Sequence, residues 1–136
     1  MIELEITETV PRLGREEYGS VVYGIMKEDD VVQGKFVLNI PYRNLEREKP
    51  YWIIIWEFEI SPDHQRRGVG KACYLALEKM ILEKYHPQEI YLQYLTTTTL
   101  GGQPTDSRGF WEKVGYTRTH DQEMKKSFAS SYKCAL

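Results

Sequence analysis

The stretch Gln65-Arg66-Arg67-Gly68-Val69-Gly70-Lys71 sets two glycines among three basic side chains within seven residues. Residues of these types, at this spacing, can hold a diphosphate. Glycine lets the main chain approach an anion closely and reach torsions that other residues avoid. The first N–H groups of a helix have no partner inside it and point at whatever lies in front. Arg66, Arg67 and Lys71 add positive charge. Two common cradles are excluded by spacing. A Walker A loop, G-x-x-x-x-G-K-S/T, needs glycine where Gln65 stands and Ser or Thr where Ala72 stands. A dinucleotide fingerprint starting at Gly68 needs glycine where Cys73 stands. The bland alternative is a glycine turn that merely ends a strand, which leaves the three basic residues unexplained.

The flanking elements must aim this turn. Residues 51–60 form an apolar run that reads as a fourth strand, with Trp52, Ile54, Trp56, Phe58 and Ile60 alternating along it. Both of its faces begin apolar, so it is expected to be central and covered on both sides. Residues 72–85 read as a helix with Cys73, Tyr74, Leu77, Met80, Ile81 and Tyr85 at helical spacing, stopped by Pro87. Upstream, residues 2–10 read as a first strand, and residues 13–18 as one short helical turn. Residues 21–26 and 31–40 form a hairpin across Asp29-Asp30, and Gly34 marks a bulge or a close backbone approach. Residues 41–50 read as a loop. Downstream come a fifth strand over 90–95 and a polar segment over 96–106. A short helix follows over 110–114, capped by Ser107 and ended by Gly115. A last hairpin over 116–128 and a tail from about residue 129 complete one domain, 1–136.

Composition narrows the classes. Hydrophobic content of 41% and charged content of 28% suit a globular chain. A net charge of −2 argues against a dedicated nucleic-acid binder. There is no apolar run of membrane-spanning length and no signal-peptide pattern. With Cys73 and Cys134 the only cysteines, reduced thiols in the cytoplasm are the simplest expectation. His64, His86 and His120 are scattered and form no H-E-x-x-H, so no metal site is expected.

The pattern that survives, Q-x-x-G-x-G on a strand-to-helix turn, resembles the acetyl-CoA pyrophosphate loop of the GNAT superfamily of N-acetyltransferases. Residues 60–64, entering the loop, are similar to that family's V-x-P-x-x stretch, and residues 109–116 resemble its F-Y-x-x-x-G-F element. The resemblance runs over about residues 21–128. It implies an α/β (α+β) fold: a mixed, mostly antiparallel sheet flanked by helices and splayed between the fourth and fifth strands. It also implies a bulge near the end of the fourth strand. The helical region between the first two strands is shortened here, which leaves the acceptor side open or completed by a second subunit.

The same resemblance implies acetyl-CoA as co-substrate and transfer of its acetyl group to an amine. Gln65, Arg66, Arg67, Gly68, Val69, Gly70 and Lys71 would hold the pyrophosphate. Phe58, Glu59 and Ile60 would offer backbone groups to the pantetheine arm, with Ser107 and Trp111 beside it. The chemistry is less complete. Trp111 stands where many members have a tyrosine acid, and indole N–H is a donor only. Gln93 stands near a common glutamate base, and Ile54 and Trp56 at other acidic positions. The remaining candidates are Glu57 and Glu59 as base, and Tyr94, Ser107 or Tyr116 as donor to sulfur. Each has a structural alternative: ion pairs at the sheet rim, core packing or a helix cap. Three classes of function therefore stand side by side: an acetyltransferase, a non-catalytic acyl-CoA-binding module, and an interaction domain whose basic turn takes another anion.

Overall fold

The computed structural model describes residues 1–15, 18–41, 52–61, 68–95, 99–100, 103–104 and 106–128. Nine strands and two α-helices are found among them: β1 Ile2–Pro11, β2 Gly19–Glu28, β3 Val31–Pro41, β4 Trp52–Ile60, α1 Val69–Tyr85, β5 Glu89–Gln93, β6 Thr99–Leu100, β7 Gln103–Pro104, α2 Arg108–Lys113, β8 Thr117–Arg118 and β9 Glu123–Ser127. The main sheet has seven strands in the order β1-β2-β3-β4-β5-β9-β8. Every pairing in it is antiparallel except β4 with β5. The mixed, mostly antiparallel sheet expected from the sequence is therefore present. Between β1 and β2 the described residues hold only a 3-10 turn, Arg12–Gly14. β6 and β7 form a separate two-stranded hairpin within a stretch that reads as loop, and β6 lies beside β4.

One face of the sheet carries the core. Val22, Met26, Phe36, Leu38, Ile40, Ile53, Ile55, Phe58, Ile90, Leu92 and Met124 are buried there, under Cys73, Tyr74, Leu77 and Ile81 of α1. The helix starts three residues earlier than its periodicity suggests, because Gly68 adopts a left-handed φ of 70° and turns the chain into it. Its end follows expectation: His86 takes a left-handed cap conformation just before Pro87. Asp29 and Asp30, both at positive φ, make the tight turn between β2 and β3.

A bulge in β4 corrects the simple alternation. Val37 pairs with Glu57 but Leu38 pairs with Ile55, so Trp56 is the extra residue. Parity changes there: Ile53 and Ile55, then Phe58 and Ile60, share the core face, while Trp56 is 50% exposed. The even-numbered face expected for this strand is thus split in two. Covering is also unequal. Trp52 and Ile54, on the second face, are only partly buried. Gly34 fulfils both readings offered for it: β3 bulges beside it, and a Cβ there would meet Glu59 O at 2.0 Å.

Beneath β4 five rings interlock. Phe58 stacks on Phe110 at 5.9 Å, and Tyr74, Trp111 and Tyr116 meet one another edge to face at 5.3–5.8 Å. Such pairs contribute about 0.5–1.5 kcal/mol each beyond the area they bury. The Tyr74 and Tyr116 hydroxyls lie 2.7 Å apart, and Tyr74 also donates to Glu78. Burial above all pushes both phenols well above the usual tyrosine range, so they stay protonated. Lys126 closes the network by donating to Glu78 and to Val114 O.

On the second face Asn39 is 3% exposed and its Oδ1 has no hydrogen-bond partner among the described residues. A buried acceptor left unmade is destabilising. Asn39→Val, which removes the unpaired acceptor and favours a strand, is expected to raise unfolding free energy by about 1 kcal/mol. Urea titration of the two proteins measures the difference.

Candidate active site

The site begins with a limited ladder. β4 and β5 pair only at Trp52–Glu89, Ile53–Ile90 and Ile54–Tyr91. Beyond these residues β4 stays paired to β3 as far as Ile60, and β5 stays paired to β9 as far as Gln93. Each strand is held on its outer side, and the two part on the inner one. This is the splay expected between the fourth and fifth strands.

α1 begins on the core side of that opening. A Cβ at Gly70 would lie 3.3 Å from the Phe110 ring and 3.7 Å from Ile60, so the first turn of the helix packs on the end of β4. Gly68 is exposed at the N-cap, and a Cβ there would meet none of the described residues within 4 Å. The first N–H groups of α1, which have no partner inside the helix, follow directly on it. Lys71 is exposed on the first turn, and Val69 is partly buried. Gln65, Arg66 and Arg67 lie outside the described residues, so their part in the cradle is not placed.

The other expected residues fall into three separate settings. Glu57 and Glu59 share one cation on the second face: Lys35 Nζ is 3.3 Å from Glu57 and 3.6 Å from Glu59. Glu57 chiefly, and Glu59 after it, hold the lysine above its usual range. Phe58 and Ile60 point the opposite way, into the core, and leave only backbone for a ligand in the opening. Tyr94 lies just past β5, and its hydroxyl is 3.4 Å from Asp121 O. The structure therefore brings Glu57 and Glu59 together with Lys35, and Tyr94 with the β8–β9 turn.

Ser107 and Trp111 form the third setting. Ser107 stands at the N-cap of α2, but its side chain does not cap the helix. Its Oγ donates to Tyr94 O at 2.9 Å and accepts from Trp111 Nε1 at 2.9 Å. Trp111 is 0% exposed and belongs to the ring cluster. In this structure it has no surface open to a coenzyme arm, and its one polar group is used within the fold. Burial chiefly raises the Cys73 thiol, to about 11, so it is a poor nucleophile. Among the described residues no group of three potential metal ligands comes together. No described helix is long and apolar enough to cross a membrane.

Several features were not visible beforehand. Lys35 meets Glu57 and Glu59 through strand register, which the sequence does not display. A cleft of 350 Å³ lies at the closed end of the split, lined by Trp52, Ile54, Tyr91, Leu92, Gln93 and Glu123. Alternation along β4 and β9 hints at these residues, but only the β5–β9 pairing joins them.

The acetyltransferase (GNAT) family model matches residues 3–116. Among solved structures, the PaiA N-acetyltransferase of Thermoplasma acidophilum in complex with coenzyme A is 19% identical, with a TM-score of 0.55 over 79% of this chain and 61% of that one. The chain thus spans less than two thirds of PaiA. A GNAT family acetyltransferase from Elizabethkingia anophelis, with acetyl-CoA bound, is 12% identical, with a TM-score of 0.60 over 93% and 98% of the two chains. The protein of the KacTA–DNA complex is 11% identical, with a TM-score of 0.63 over 99% and 98%. At these identities the likeness is one of fold. No curated protein matches the chain in sequence.

The closed end of the split is pinned by an ion pair. Lys125 donates to Glu89 at 2.8 Å, and Tyr91 and Ser127 donate to the same carboxylate. The Lys125 hydrogen bond is the main reason that Glu89 titrates below the usual carboxylate value of 4.5. A depressed carboxylate stabilises the fold above its unfolded pKa and loses that contribution as pH falls through its folded one. Stability should therefore decline as pH drops below about 4.5, and Glu89→Gln should flatten that part of the profile. Urea titrations at several pH values between 2 and 6 would reveal it.

Proposed function

Since the chain belongs to the GNAT acetyltransferase family, we propose that it is an N-acetyltransferase using acetyl-CoA and a primary amine of a small-molecule or peptide acceptor. The observation that carries this reading is the parting of β4 from β5 beyond Ile54 and Tyr91, with the N-terminus of α1 beside it. An extended thiol arm can lie in such an opening like an added strand. A diphosphate at Gly68 to Lys71 would sit before the first turn of a 17-residue helix. One acyltransferase domain over residues 1–136 accounts for all the described elements.

The reaction needs three things from the chain. The amine must lose a proton before its lone pair attacks the thioester carbon. The thioester oxygen must be stabilised as the C–N bond forms, and the thiolate must be protonated after the C–S bond breaks. Backbone N–H groups at the bulged edge of β4 suit the oxygen. Glu57 or Glu59, directly or through water, is the assigned base and Tyr94 the assigned donor, and each must give up its present contact to serve. Lys35 would have to release the carboxylate, and Asp121 O the phenol.

A second reading draws on those same contacts. With Trp111 enclosed and both glutamates paired, the chain could bind an acyl-CoA without turning it over. Thiol release with an amine panel separates the two, because turnover at an enzymatic rate excludes the binder.

Gly68→Asp tests the cradle. Aspartate tolerates left-handed torsions better than most residues, and the position is open, so the fold should survive. Its carboxylate faces the proposed diphosphate, and acetyl-CoA affinity should fall by about tenfold or more. Calorimetry on the two proteins gives the answer. No saturable binding of acetyl-CoA by the wild type would end the proposal.

A further inference from the structure

We propose that the acceptor is a cationic primary amine on an apolar body, held in the cleft of Trp52, Ile54, Tyr91 and Glu123 on the sheet face away from α1. This names the substrate class of the site above and rests on the acetyltransferase reading.

Position comes first. Ile54 and Tyr91 are the last paired residues before β4 and β5 separate, and both line the cleft. The cleft therefore opens at the apex of the split. α1 packs on the opposite face, where Gly70 approaches Ile60 and Phe110. A coenzyme arriving past α1 and an acceptor arriving through the cleft would meet across the sheet without competing for space.

Chemistry comes second. At 350 Å³ the cleft is the size of a small-ligand site. Trp52 and Tyr91 stand edge to face at 6.3 Å, and with Ile54 they make an apolar wall. Among the described lining residues Glu123 is the one that carries charge; Lys125, beside Tyr91 on the same face, feels that charge but is held by Glu89. Glu123 Oε2 accepts from Thr119 Oγ1 at 2.6 Å and lies 3.5 Å from His120 Nδ1, which fixes the carboxylate. Its Oε1 has no partner among the described residues. An ammonium suits that oxygen, and the aromatic wall suits both a cation and the carbon body behind it. A neighbouring cleft of 560 Å³ shares Gln93 and Glu123 and is otherwise lined by Tyr94, Arg118, His120, Asp121 and Gln122, which gives a polar approach.

The test uses phenethylamine, putrescine and glutamate as acceptors, read by thiol release, and phenethylammonium binding to the protein alone, read by calorimetry. Phenethylamine should exceed glutamate in kcat/KM by about tenfold or more. Glu123→Gln should raise the phenethylamine KM about tenfold, weaken its binding to the same extent, and leave the acetyl-CoA affinity unchanged. Trp52→Ala should erase the preference for the aromatic amine, and Trp52→Phe should retain it. A preference for glutamate, or amine binding indifferent to Glu123→Gln and to both Trp52 variants, would overturn the proposal. If acetyl-CoA fails to bind while phenethylammonium binds in a Glu123-dependent way, the acetyltransferase reading falls and the cleft assignment stands.

Discussion

Two neighbouring strands that pair for three residues and then separate forgo hydrogen bonds, each worth about 0.5–1.5 kcal/mol net. The sheet sustains this because both strands are anchored outward. β4 continues its ladder with β3 to Ile60, where Gly34 lets the two backbones close up. β5 continues its ladder with β9 to Gln93, and just beyond it Tyr94 O is claimed by the amide and hydroxyl of Ser107. The Trp56 bulge adds a local twist to β4, which also works against continued pairing.

The ring cluster has a related role. Phe58 comes from the free-running half of β4, Tyr74 from α1, Phe110 and Trp111 from α2, and Tyr116 from the chain leading into β8. These rings meet on the core face, beneath the part of β4 that lacks β5. They fix the distance between β4 and α2 with large, rigid side chains. Trp111, which sequence comparison would set against a ligand, is needed here as filling, and Ser107 is needed to satisfy its indole.

Much of this was legible in the residues. Strand alternation, the Asp29-Asp30 turn, the helix periodicity and the Gly115 stop located nearly every element, because each rests on local torsions or on one-dimensional periodicity. What depended on register was hidden. The bulge at Trp56 inverts the facing of every later residue in β4, and nothing in an apolar run marks where it falls. The Lys35 pairing follows from β3 against β4, and Glu123 reaches the cleft through β9 against β5. Ser107 reads as a cap because caps are local, whereas its actual partners, Tyr94 and Trp111, come together only in the folded chain.

The second face of the sheet is built differently from the core face. This face carries cross-strand ion pairs: Glu5 with Lys27, Glu57 and Glu59 with Lys35, and Glu89 with Lys125. Partly exposed pairs of this kind add little stability individually. Between them Val21, Val37 and Asn39 are buried, so this face mixes enclosed positions with charged ones. Among these described pairs three lysines meet four glutamates, which leaves carboxylate oxygen to spare.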